Sequence, residues 1–316
     1  ADIALTHQTN CSPDNGSAEV TDVLVDGVPT GSILGFTFDW LQSDGATVIP
    51  GSTNGAIAGV PLGPGAYYVR AIRTASNCVS SITAFTIKDV HVNPLITLAS
   101  KVNNTNCSGA LPNGTLTIEI NGGESLAGFT IEWFEGTGTG TPLTFGTIGG
   151  VNGETVANLP MGSYTVQVRD NTSPGNSCVS TSTFTISDNL PVIGIDNTAI
   201  TITHQTDCLP INGSAEVMEV KVDGLGVGSL AGYTIEWLES DRLTPIAGAG
   251  VGATVAVALN AGSYFVKATN AATNCSSFPT SFTILDKTAT PGVDIAVVNP
   301  NIACDLNFTG ELSVSV

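Results

Sequence analysis

The feature that most constrains this chain is that it repeats itself. A cysteine standing ahead of an Asn-Gly step occurs at Cys11, Cys107 and Cys208, and Cys304 falls in the same register. The separations are 96, 101 and 96 residues. A second cysteine recurs at Cys78, Cys178 and Cys275, with separations of 100 and 97. Trp40, Trp133 and Trp237 keep the same period, and so do Tyr67, Tyr164 and Tyr264. Independent landmarks agreeing on one period mark a tandem array of domain-sized units. The boundaries read as 1–93, 94–191 and 192–291, with residues 292–316 opening a fourth unit.

Inside each unit the pattern is short strands. Phe36, Phe38 and Trp40 alternate with Thr37 and Asp39, and the Trp133 and Trp237 segments repeat this alternation. A period of two places the aromatic set in a core and the Thr-acid pair in water. A late strand begins Leu-x-x-Gly-x-Tyr at Leu62, Leu159 and Leu259. The Asn-Gly steps (Asn15-Gly16, Asn113-Gly114, Asn212-Gly213) read as tight turns. About seven short strands with a buried Trp and a Tyr entering a late strand predict an all-β chain of tandem immunoglobulin-like β-sandwich repeats. The Trp and Tyr residues are its core markers.

The cysteines suggest one disulfide per repeat: Cys11–Cys78, Cys107–Cys178 and Cys208–Cys275, with nearly constant spacings of 67, 71 and 67. They flank strands, so the expected bridge staples one pole of each sandwich. No Cys-x-x-Cys occurs to suggest zinc. Disulfides imply an oxidising, extracellular setting. Cys304 is left unpaired, its expected mate lying beyond Val316. The fourth unit reaches only two strands, so its completion is expected from further chain or from another chain by strand donation.

Charge narrows the partners. The net charge is −18, from 27 acidic and 9 basic residues, which gives no basic footprint for nucleic acid. No apolar run reaches membrane-spanning length, so no insertion is expected in this segment. The junctions at 88–94, 187–191 and 286–291 are short and each holds a proline, which stiffens the chain. They predict end-to-end domains rather than loose beads.

Candidate sites are few. His7 and His204 occupy equivalent positions, with Asn103 or Asn104 in the second repeat, and His91 lies in a junction. No nucleophile or acid recurs beside them, so no catalytic residue and no enzyme are expected. Asp39, Glu132 and Glu236 face Arg70, Gln167 and Lys267 on a neighbouring strand, which predicts cross-strand ion pairs in the first and third repeats. No cofactor or metal site is expected. Calcium is the one ion left open, through Asp188-Asn189 and Asp196-Asn197, although no Asp-x-Asp-x-Asp loop occurs. The Asn15, Asn113 and Asn212 sequons are better read as turn residues than as glycan carriers. The loops at 43–54 and 135–152 are where a ligand such as a surface glycan would bind.

Asn113-Gly114-Thr115, then Gly162-Ser163-Tyr164-Thr165-Val166-Gln167-Val168-Arg169-Asp170, then Asn176-Ser177-Cys178 resembles the SprB-type repeat of very large surface adhesins of gliding Bacteroidota. The resemblance covers all three units and is fullest in the second. It implies export by the type IX system, a cell-surface location and a role in adhesion or gliding motility, and carries over no catalytic residue. The expectation is a stiff, disulfide-stabilised structural stalk or filament. The alternatives are a fibre subunit polymerising by strand donation through the incomplete fourth repeat, a glycan-binding module, and an accessory tail of an enzyme. The expected partners are other copies or further repeats of itself, with surface glycans.

Overall fold

The computed structural model describes residues 1–144, 146–171, 177–304 and 306–316. Asn176, from the step before Cys178, and Phe145, inside the loop 135–152, lie outside the described residues. Among those described, all regular structure is β except one 3-10 turn at Asn197–Ala199. No described helix is long and apolar enough to cross a membrane. The chain forms two compact units: Ala1–Asn104 with Pro112–Asp188, and Thr105–Leu111 with Asn189–Val316.

The first unit opens with β1 (Asp2–Thr6), antiparallel to β2 (Ser17–Asp22), Thr6 facing Ser17. The other edge of β2 bonds to residues 56–62, through Ala58 N–H to Ala18 O (3.1 Å) and Leu62 N–H to Gly16 O (2.8 Å). A small hairpin follows, β3 (Leu24–Val25) with β4 (Val28–Pro29). The second sheet is β5 (Phe36–Leu41), β6 (Gly65–Arg73), β7 (Cys78–Val79) and β8 (Thr83–Ile87), with β5 and β8 flanking β6. After β1 the chain crosses to this sheet, where Gln8 makes a parallel bridge to Asp89. One sheet of β1 and β2 edged by residues 56–62, and an opposing sheet of β5, β6 and β8, make the immunoglobulin-like sandwich.

The same unit continues with β9 (Ile96–Val102), β10 (Gly114–Ile120), β11 (Phe129–Glu135), β12 (Thr147–Gly149), β13 (Thr155–Leu159), β14 (Gly162–Asp170) and β15 (Val179–Ile186). Here the first sheet has a fourth member, in the order β12-β13-β10-β9, and the other sheet is β11-β14-β15. The fourth member is built from the extra residues after Gly136. The alternation of β10 is complete, every second side chain from Gly114 to Ile120 being buried.

The second unit repeats the plan. It comprises β16 (Ile193–Gly194), β17 (Ile200–Thr203), β18 (Ser214–Val217), β19 (Lys221–Val222), β20 (Leu225–Gly226), β21 (Tyr233–Leu238), β22 (Gly262–Asn270) and β23 (Thr280–Ile284). β17 pairs with β18, and β21-β22-β23 form the opposing sheet. β24 (Asp294–Asn299) and β25 (Glu311–Ser315) then form a two-stranded pair whose side chains are all exposed.

Three hydrophobic clusters, at residues 18–87, 96–186 and 193–284, each centre on a tryptophan and its late-strand tyrosine. Trp40, Trp133 and Trp237 are 0%, 4% and 1% exposed. Each indole N–H donates to a loop carbonyl: Gly55 (3.1 Å), Gly153 (2.9 Å) and Gly252 (3.0 Å). That bond removes the cost of burying an indole donor. Tyr67, Tyr164 and Tyr264 donate to the carbonyls of Gly63, Pro160 and Asn260, four residues upstream. This is the tyrosine corner of immunoglobulin-like domains.

The Asn-Gly steps that follow the first cysteines are not hairpin turns. Gly16, Gly114 and Gly213 lead into β2, β10 and β18, and none has positive φ. Glycine is required there because the backbones crowd. A Cβ on Gly16 would lie 2.6 Å from Ile87 Cγ2 and against the Leu62 carbonyl. Tight turns lie at Asp26-Gly27, Asn121-Gly122 and Asp223-Gly224, with φ of 53° and 82°, 51° and 77°, and 51° and 82°. Two successive positive φ values match the twist of a two-residue hairpin.

Candidate functional site

Each repeat carries its cysteines at opposite poles. Cys11 lies between β1 and β2, close to the Gln8–Asp89 bridge. Cys78 lies in the turn between β6 and β8, paired with Arg73 at the far end of β6. Gly65, at the near end, pairs with Ile87, just before Asp89. The nine-residue strand β6 therefore separates the two cysteines by roughly 26 Å at about 3.3 Å per residue. A disulfide needs its Cα atoms within about 7 Å. The expected pairs Cys11–Cys78, Cys107–Cys178 and Cys208–Cys275 are thus corrected.

The structure joins Cys11 to Cys178 and Cys107 to Cys275, each with a Cα–Cα distance of 4.9 Å. The first cysteine of one repeat bonds to the second cysteine of the next. The chain enters a repeat at the pole of its second cysteine and leaves at the pole of its first, so consecutive repeats bring unlike cysteines together. Cys78, Cys208 and Cys304 are free and exposed. The one-disulfide-per-repeat expectation becomes two disulfides that each bridge two repeats, and Cys304 is joined by two further free thiols.

The loop that presents the first cysteine is held by buried amides. Gln8, 2% exposed, accepts from the N–H groups of Asn15 (2.7 Å) and Gly16 (3.1 Å) and donates to Asn10 O (2.6 Å). Asn15 Oδ1 accepts from Thr9 N (2.9 Å) and Asn10 N (3.2 Å). Asn212 makes the matching bonds to Thr206 N (2.9 Å) and Asp207 N (3.2 Å). The sequon asparagines at these two positions are therefore loop clamps, as Asn15 Nδ2 donating to Thr9 Oγ1 (2.7 Å) also shows.

The receiving turn is equally regular. The residue before its cysteine is left-handed in all three repeats: Asn77 (φ 52°), Ser177 (47°) and Asn274 (54°). Asparagine tolerates that region better than most residues. In the second unit the incoming segment Thr105–Leu111 adds two bonds around the disulfide. Cys107 N donates to Thr273 O (2.8 Å), and Asn274 Nδ2 donates to Asn106 Oδ1 (3.3 Å). Cys178 and Cys275 are 0% and 1% exposed.

The other candidate residues have structural partners. His7 Nδ1 accepts the N–H of Lys88 (3.2 Å), and His204 Nδ1 accepts that of Leu285 (3.1 Å). Asn103 Oδ1 does the same for Ser187 (3.2 Å). These side chains fasten the sheet-crossing segment to the last strand. His91 pairs with Asp89 at 2.5 Å, and that bond holds the Asp89 carboxyl below its ordinary range. The cross-strand ion pairs form: Asp39–Arg70 at 2.8 Å and Glu236–Lys267 at 2.7 Å. Glu132 faces Gln167 across the same register.

Of the open calcium ligands, Asp188 accepts from Asn104 Nδ2 (2.8 Å) and Asp196 pairs with Lys221 (2.5 Å). No group of three or more His, Cys, Asp or Glu converges among the described residues. In the loop 43–54, Asp44 accepts from Ala46 N (2.9 Å), Thr47 N (2.8 Å) and Thr47 Oγ1 (2.5 Å). The Thr47 hydroxyl first, then the two N–H groups, pull its carboxyl down to about 2. Asp241 makes the same turn in the third repeat.

No family model and no curated protein sequence matches the chain. Among solved structures it is similar to the three N-terminal domains of the highly immunogenic outer capsid protein of bacteriophage RB49. That match has 12% identity, covers 90% of this chain and 96% of that one, and has a TM-score of 0.33. It is similar to the N-terminal eight Ig domains of Down syndrome cell adhesion molecule (12%; 92% and 37% covered; TM-score 0.34). It is also similar to the human desmocollin-1 ectodomain (12%; 97% and 65%; TM-score 0.24). Superpositions this loose transfer no residue role and no partner. The fold assignment rests on the strand pairing, the tryptophans and the tyrosine corners.

Proposed function

We propose that this chain is a structural, load-bearing repeat region of an extracellular adhesion-type protein, whose task is to keep successive domains covalently joined. One observation carries this: each disulfide leaves one repeat and ends in the next. A bond inside a repeat protects only that repeat, whereas a bond to the next repeat carries tension past the domain between its ends. Two disulfides at equivalent places in the array also favour an oxidising compartment outside the cytosol.

Within this reading, the SprB-type resemblance of the Gly162–Asp170 stretch and its neighbours supports a cell-surface protein exported by a type IX system and used in adhesion or gliding. Antibody against residues 1–316, applied to unpermeabilised cells that make the protein, should label their surface, and bound antibody should reduce attachment or movement. Label seen only after permeabilisation would sink the reading.

A further inference from the structure

The two disulfides share one asymmetry. Cys11 and Cys107, the first cysteines of their repeats, are exposed. Their partners Cys178 and Cys275 are buried. The carbonyl oxygens of Thr273 (3.5 Å) and Thr105 (3.8 Å) also stand against the Cys275 sulfur. A thiolate opens a disulfide by attacking one of its two sulfurs, and access decides which. In both bonds the first cysteine offers that access and the second does not.

Contacts around the second bond outlast its opening. Cys107 N donates to Thr273 O (2.8 Å) and Asn274 Nδ2 to Asn106 Oδ1 (3.3 Å), and neither bond involves a sulfur. They keep the buried Cys275 beside the exposed Cys107 when the S–S bond is cut.

We infer that Cys11 and Cys107 are sites of S-thiolation by a low-molecular-weight thiol such as glutathione, and that the inter-repeat bonds open and reclose through these two sulfurs. The glutathione thiolate attacks Cys11 Sγ, a new S–S bond joins the two, and the Cys11–Cys178 bond breaks. The Cys178 sulfur leaves with the bonding electron pair and takes up the proton that glutathione lost. Reclosure is the reverse: the Cys178 thiol, held beneath the adduct, attacks Cys11 Sγ and expels glutathione. Cys107 and Cys275 exchange in the same way. This rests on the inter-repeat bonds underlying the proposed function, and adds how those bonds respond to thiols.

The test uses the whole oxidised chain, with Cys78, Cys208 and Cys304, its free thiols, first alkylated. The folded chain meets reduced glutathione, is quenched in acid to remove the thiolate, and is digested with pepsin for mass mapping. The expected result is glutathione on the Cys11 and Cys107 peptides in about tenfold excess over the Cys178 and Cys275 peptides, because access selects the sulfur. In guanidinium chloride, where access is equal, all four should be labelled nearly alike. Removing glutathione at neutral pH before the quench should return both adducts to disulfides. Equal labelling of the folded chain, preference for Cys178 and Cys275, no adduct at all, or adducts that persist once glutathione is gone would overturn the inference. A digest of the untreated chain keeps the two readings apart. If the Cys11–Cys178 and Cys107–Cys275 peptides are present there but the labelling fails, the inference fails alone. If those peptides are missing, the inter-repeat bond fails with it.

Discussion

At Gly16 the requirement is space rather than backbone freedom. The missing Cβ lets β2 close on the Leu62 carbonyl and Ile87. Gly16→Ala is expected to lose about 1–3 kcal/mol by overpacking, while Gly194→Ala, with nothing within 4 Å of its Cβ, should lose far less. Chemical denaturation of both variants checks this, and equal losses would contradict it. Asp44 makes a pH prediction. Its carboxyl ionises at about 2 in the folded chain against an ordinary 3.8. A lowered folded value stabilises above the unfolded value, and that contribution is lost as pH falls from about 4 through 2. An NMR titration should place the Asp44 midpoint near 2, and Asp44→Asn should flatten the fall in Tm over that range. A midpoint near 4 would dissolve the argument. Both roles were hidden in the sequence. Asn-Gly has a ready turn reading, and nothing in a string of letters distinguishes a crowded glycine from a flexible one.

The elements themselves were legible where burial alternates. β5, β10, β11 and β21 follow period two, and their cross-strand partners Arg70 and Lys267 were readable from repeat register. The tyrosine corner was also anticipated, because a Tyr entering the late strand has few other uses. Tyr67→Phe should lose about 1 kcal/mol, the ordinary net value of one hydrogen bond; an unchanged denaturation midpoint would argue against the corner. The cysteine loops behave differently. Cys11→Ser opens a ring of 167 residues, for which the chain-entropy account gives about 5 kcal/mol, and leaves Cys178 buried without its partner. Cys78→Ser, at a free exposed thiol, should leave the monomer's Tm unchanged. If the two variants melted alike, the assigned pairing would be wrong.

For the whole molecule the two rings overlap between Cys107 and Cys178, which limits how far the chain can be drawn out. Pulled from its ends after complete unfolding, the reduced chain has all 316 residues to extend, about 1,100 Å at 3.6 Å per residue. In the oxidised chain the taut route runs from the N-terminus to Cys11, across to Cys178, back to Cys107, across to Cys275 and on to Val316. That route holds roughly 120 residues, or about 440 Å. Single-molecule extension with and without reductant measures the difference. Bonds within all three repeats would leave about 110 residues, or about 400 Å, so the extension separates oxidised from reduced chain while disulfide peptide mapping separates the two pairings.

The sequence by itself determined the period, the strand alternation, the buried tryptophans and the acidic, low-charge surface, because each depends on the spacing of residue types along the chain. It could not determine which cysteines meet. In a periodic array, pairing within a repeat and pairing to the next repeat both give constant separations, so the regularity that revealed the repeats concealed the bond. Only the tertiary structure decided it. The sandwich places the β1–β2 loop and the β6–β8 turn at opposite ends of a nine-residue strand, and a disulfide cannot span that distance.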